Sequence, residues 1–142
     1  MTPTQPAQTA RPRWPAQPFD PIRAYLDYDG YADEMVLYFD GAPSPAVNDA
    51  IDTPSDSDTA LLVGLGPDGK DTGEVVGIHV YPLLAGAARK PAYWGRLAEP
   101  EPPAELIARF VAEVRDMFER YWTPAPPVAE QLAGARRVRT EE

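Results

Sequence analysis

The chain has 142 residues, a net charge of −9, a single histidine and no cysteine, with 18 prolines, half of them in the terminal segments 1–21 and 123–142. Such a length holds one domain of roughly 100 residues plus tails. The lack of cysteine excludes disulfides, thiolate catalysis and cysteine-ligated zinc or iron–sulfur centres, and no apolar run approaches the about 20 residues that span a bilayer, so no membrane partner is expected.

Residues 1–21 read as an extended arm. Prolines fall at 3, 6, 12, 15, 18 and 21, the three-residue repeat of a polyproline II rod. Its opening, MTPTQPAQTARPRW, has no apolar segment and reads as no secretory leader. With the absent cysteines this favours a cytoplasmic protein. Trp14 and Phe19 stand between the prolines as anchors for a partner or a neighbouring subunit.

The texture then changes to short strands: IRAYLDY, MVLYF, the stretch Val47–Ile51, TALLVGL and EVVGIHVY. Asp29-Gly30 and Asp68-Gly69 mark turns between them. Connections this short require antiparallel neighbours, so residues 23–81 predict a four- or five-stranded meander. Along the last strand, alternation places Val76, Ile78 and Val80 toward the core, and His79 with Tyr81 on the more polar face. Residues 83–102 read as a loop with Tyr93, Trp94 and Leu97 tucked against the body.

Residues 103–122 carry the clearest helical pattern. Pro102 and Pro103 suit the first turn, and Pro124 ends the helix. Apolar residues from Leu106 to Trp122 fill an arc of about 160°, wider than the about 100° stripe that one sheet face needs. The surplus edge, Val111, Phe118 and Trp122, predicts a second cover: the Tyr93–Leu97 loop, a tail, or another copy of the chain associating through this helix. Glu105–Arg109, Arg115–Glu119 and Asp116–Arg120 are spaced as ion pairs on the polar side. Residues 123–142 form a proline- and arginine-containing tail. The whole is an α+β domain, residues 22–122, with one long amphipathic helix on one face of an antiparallel sheet.

The charge is lopsided. Residues 27–74 hold Asp27, Asp29, Asp33, Glu34, Asp40, Asp49, Asp52, Asp56, Asp58, Asp68, Asp71 and Glu74 against Lys70 alone. This field repels phosphate backbones, which speaks against nucleic-acid binding by the strand region, and it attracts a basic protein.

Chemistry finds little footing. His79 lacks a nucleophile on an elbow turn and lacks fellow nitrogen or sulfur ligands for a metal. DTPSDSD lacks the glycine and glutamate spacing of a calcium loop. GLGPDG has glycines at 64, 66 and 69, but it lies between two strands instead of opening a helix. No catalytic, cofactor-binding or metal-binding residue and no cofactor is assigned. The alternative is a small metal-dependent hydrolase using the aspartate-rich loops.

Two stretches carry a resemblance. YDGYADEMVLYF resembles, through Tyr28, Asp29, Asp33, Met35 and Leu37, the Y-D-x-x-x-D-x-L-Y-I opening of the small bacterial family called domain of unknown function 2283. Met35 replaces the usual leucine, and Val36 the usual tyrosine. GEVVGIHVY is similar to that family's closing strand through Gly73, Val75, Val76, Gly77, Ile78 and Val80. The resemblance covers about residues 24–82. It implies a small β-meander with no established activity and an accessory, antitoxin-like role, since relatives are often encoded beside small toxin-like genes. Together these readings predict a non-catalytic interaction protein that engages another protein through its arms or acidic strand surface, with Trp14, Phe19, Val111, Phe118 and Trp122 as contact residues.

Overall fold

A computed structural model describes residues 11–53 and 58–123. Five strands form: β1 (Tyr25–Asp29), β2 (Glu34–Tyr38), β3 (Ala46–Ile51), β4 (Thr59–Leu65) and β5 (Asp71–Val80). They are followed by two 3-10 segments, Ala87–Arg89 and Ala92–Ala98, and by helix α1 (Ala104–Tyr121). The fold is α+β, with five strands that all pair antiparallel and a C-terminal helix, as the patterns predict. The strand order is β1-β2-β5-β4-β3. Thus β1–β2 is a hairpin, β3–β4–β5 is a meander, and β5, the longest strand, takes the centre.

The sheet's covered side carries Met35, Leu37, Ile51, Leu61, Ile78 and Val80, which pack with Leu106, Ile107, Phe110, Val111, Val114 and Phe118 of α1. The strict alternation expected along β5 fails at one point. Leu62 pairs with Gly77 and Val63 with Val75, so Val76 has no partner on β4. This bulge turns Val75 into the core, fully buried, and leaves Val76 half-buried. Gly77 beside it is obligatory, because a Cβ there would sit 2.2 Å from the Leu37 carbonyl oxygen. The close approach is made by the backbone of β2.

Residues 83–102 tuck in as predicted, with Trp94 and Leu97 buried and Trp94 edge-on to Phe110 at 4.9 Å. The Trp94 indole N–H donates to Glu113. This loop therefore covers the Phe110 side of α1. The Phe118 edge, for which the sequence offers this loop, a tail or another copy of the chain, receives the N-terminal arm. The end of α1 turns onto β3, where Trp122 bridges Ile51 and the Thr123 N–H donates to the Ala50 carbonyl.

Candidate functional site: the docked arm and the acidic margin

Proline gives the arm an extended backbone, and extended backbone can join a sheet edge. Because β2 ends at Tyr38, the first half of β5 has an open margin. Arg13 fills it as a parallel bridge: its N–H donates to the Gly73 carbonyl at 2.7 Å, and its own carbonyl accepts from the Val75 N–H at 2.9 Å. Its guanidinium donates to the Thr72 carbonyl.

Beyond this bridge Trp14 lies 5.3 Å from the Phe39 ring and 6.0 Å from Phe118. Phe19 meets Phe39 edge-on at 5.7 Å. The Arg11 guanidinium stacks over Phe118 and pairs with Glu119. The helix charges rearrange accordingly. Glu119 takes Arg11, and Arg115 lies over the Trp14 ring, while Asp116–Arg120 forms as spaced and Arg109 pairs with Glu113.

The arm is thus anchored by Trp14, as its sequence suggests, but to its own chain. Val111 and Phe118 are 4% and 2% exposed and are interior positions. Trp14, Phe19 and Trp122 pack partly buried against the same core. Association of two helices through the Val111–Phe118 edge would require the arm to leave, which corrects the picture of a stripe awaiting a partner.

Between the arm and the sheet runs a cleft of about 460 Å³. Trp14, Phe19, Phe39, Val75 and Val111 line it, with Asp20, Arg23, Asp40 and Glu74 around them. Arg23 is already paired with Asp40 at 2.6 Å.

His79 sits on the opposite, helix-free side of the sheet. It is half-buried between Val36 and Ala60, with Nε2 3.4 Å from the Glu34 carboxylate. No triad-like set surrounds it, and no three metal-ligating side chains converge among the described residues. The glycine stretch is a turn between β4 and β5, as expected, with Gly69 at φ 80° and the Asp68 carboxylate accepting from the Lys70 N–H. Of the aspartate-rich loop, Asp56 lies outside the described residues. Asp58 pairs with Arg89 and with Lys90, whose side chain is 0% exposed. The Lys90 ammonium also donates to the Pro82 carbonyl at 3.3 Å. Sequence reasoning missed this buried lysine, since a lysine after alanines and an arginine carries the signature of a surface turn.

The acidic field is sharpened by where the bases are spent. Arg11, Arg23, Arg89, Lys90, Arg96, Arg109 and Arg120 each pair with an acid of the chain. Asp27, Asp29, Asp52, Asp68, Asp71 and Glu74 are exposed and belong to none of these pairs. Asp49, half-buried on β3, has its pKa pushed up to about 6 by burial, with the Asp71 charge adding to the shift. No family model, curated protein or solved structure matches the chain.

Proposed function

We propose that this chain is a non-catalytic protein-binding module, an accessory subunit whose acidic strand-side surface engages a basic partner protein in the cytoplasm. The observation that carries it is the set of exposed carboxylates Asp27, Asp29, Asp52, Asp68, Asp71 and Glu74, which form no ion pair among the described residues, where most arginines are committed to acids of the chain itself. A field of one sign speeds association with an oppositely charged protein and rejects phosphate backbones. The resemblance to domain of unknown function 2283, whose relatives are often encoded beside small toxin-like genes, supports an antitoxin-like version of this role.

Affinity capture from the native cell extract tests the reading, with the wild-type chain and an Asp68→Lys/Asp71→Lys/Glu74→Lys variant compared at low and high salt. A defined basic protein, held at low salt and lost with the variant or with added salt, is the expected result. Equal capture by both chains at all salt concentrations would remove the acidic surface from the explanation.

A further inference from the structure

A sheet margin presents a row of unpaired backbone N–H and C=O groups, which any extended chain can join. Here two such margins are closed from within. Trp122 and Thr123 bridge the outer edge of β3 at Ile51 and Ala50, and Arg13 closes the open half of β5 at Gly73 and Val75. Among the described residues nothing pairs with the outer edge of β1. We propose that this edge, Tyr25–Asp29, is a docking edge for a basic extended segment of a partner protein, which adds to the sheet as one more strand. The inference rests on the acidic-surface reading above and gives it a place.

The side chains of β1 select the occupant. Leu26 and Tyr28 turn inward against the core, while Tyr25, Asp27 and Asp29 are exposed on the other face. Asp29 stands opposite Glu34 of β2, so the negative field continues across the hairpin. A strand laid beside β1 presents alternate side chains to this face. Lysine or arginine at every second position then meets Asp27 and Asp29, and main-chain hydrogen bonds supply the pairing itself. A second copy of this chain would instead bring Asp27 and Asp29 against the same aspartates, and like charges directly opposite are unfavourable. The edge is guarded against its own kind and open to a basic strand.

The test uses the full chain, isotope-labelled, with short capped peptides of alternating lysine and valine as probes. One control replaces lysine by glutamate. Another keeps lysine but N-methylates alternate amides, which preserves charge and blocks strand pairing. The lysine peptide is expected to slow hydrogen exchange of the outward β1 amides by about tenfold or more. Asp27→Lys, an exposed position, should weaken its binding about tenfold, and both control peptides should fail. Binding of the N-methylated peptide as tight as the parent, or protection elsewhere on the surface with β1 unchanged, overturns the edge while leaving the acidic-surface reading in place. Failure of the lysine peptide to bind anywhere overturns both. Protection of β1 in the free protein, whether concentration-dependent through a second copy or concentration-independent through the chain itself, also overturns it.

Discussion

Asp33 shows how one carboxylate joins distant parts of the chain. Its backbone is left-handed, φ 56°, and its carboxylate accepts from the N–H groups of Leu84 and Ala85 and from the Tyr28 hydroxyl. The β1–β2 turn itself is capped by Asp29, which accepts from the Tyr31 N–H at 3.0 Å. Asp33 instead ties the β1–β2 turn to the segment leaving β5, and Tyr28, Asp29 and Asp33 of the quoted motif make one structural clasp. Burial alone would raise the Asp33 pKa, but the N–H donors of Leu84 and Ala85, the Tyr28 hydroxyl and the Leu83 N–H outweigh it and hold the carboxyl below its ordinary range. A folded-state pKa below the unfolded one stabilises the fold above about pH 4 and ceases to do so as pH falls through the lowered value. Asp33→Asn keeps an acceptor and tolerance of positive φ but loses the charge. It should cost about 1 kcal/mol at pH 7, a figure kept small by solvent access, and its effect should shrink toward pH 2. Urea unfolding at both pH values checks this. Gly77→Ala is the harsher change, because the Leu37 carbonyl must move from its 2.2 Å contact with the new methyl. A loss of about 2–4 kcal/mol at every pH is expected from thermal or urea unfolding.

At the scale of the element, β3 carries a charge where a core strand would carry an apolar residue. Asp49 stands opposite Leu61, on the side of the sheet that buries Ile51 and Leu61. An inward-pointing charge on an edge strand discourages pairing with foreign strands, at a cost in stability. That cost has a pH signature of the opposite sign to Asp33. With its pKa raised to about 6, Asp49 binds its proton more tightly in the folded chain, so stability falls as pH rises from about 4 through 6. Asp49→Asn should therefore gain about 1 kcal/mol at pH 8, discounted for the site's partial exposure, and nothing at pH 4. Denaturant titration across this range checks it. Elements like this were legible because their signals are local. The Asp-Gly turns, the apolar strand runs and the wide helical arc each state their structure within a few residues. The bulge at Val76 was not legible, since it depends on the register of β4 against β5. Nor was the central position of β5, because hairpin spacing fixes neighbours along the chain and leaves the β2–β5 pairing open. His79 and the glycine turn were read correctly as strand and turn positions, but the burial of Lys90 depends on Asp58, 32 residues away.

For the whole molecule, the arm changes what the apolar surplus of α1 means. An arc wider than one sheet face needs two covers, and the chain supplies both: residues 92–98 on the Phe110 side and residues 11–19 on the Phe118 side. The sequence holds the arm's anchors, Trp14 and Phe19, and the surface they fill, but nothing local says that the two meet within one chain. The arm's hold combines aromatic contact, two backbone hydrogen bonds at Arg13 and the Arg11–Glu119 pair. Most of it is apolar, so it should resist salt better than the exposed ion pair would alone. Trp14→Ala removes the ring that touches both Phe39 and Phe118, and should cost about 2 kcal/mol, less than a fully buried tryptophan because Trp14 keeps some solvent contact. Removing residues 1–19 goes further, baring Phe39, Phe118 and Val111 as one apolar strip beside the open half of β5. Such a strip, edged by unpaired backbone, favours self-association. Sedimentation of the truncated chain should show concentration-dependent oligomers at 0.15 M salt, with enhanced binding of a hydrophobic dye, while the full chain at the same concentrations binds little dye. A truncated chain that stays monomeric and dye-free would mean that the rest of the molecule closes over Phe118 without the arm, and that the arm is an ornament to the fold instead of its second cover.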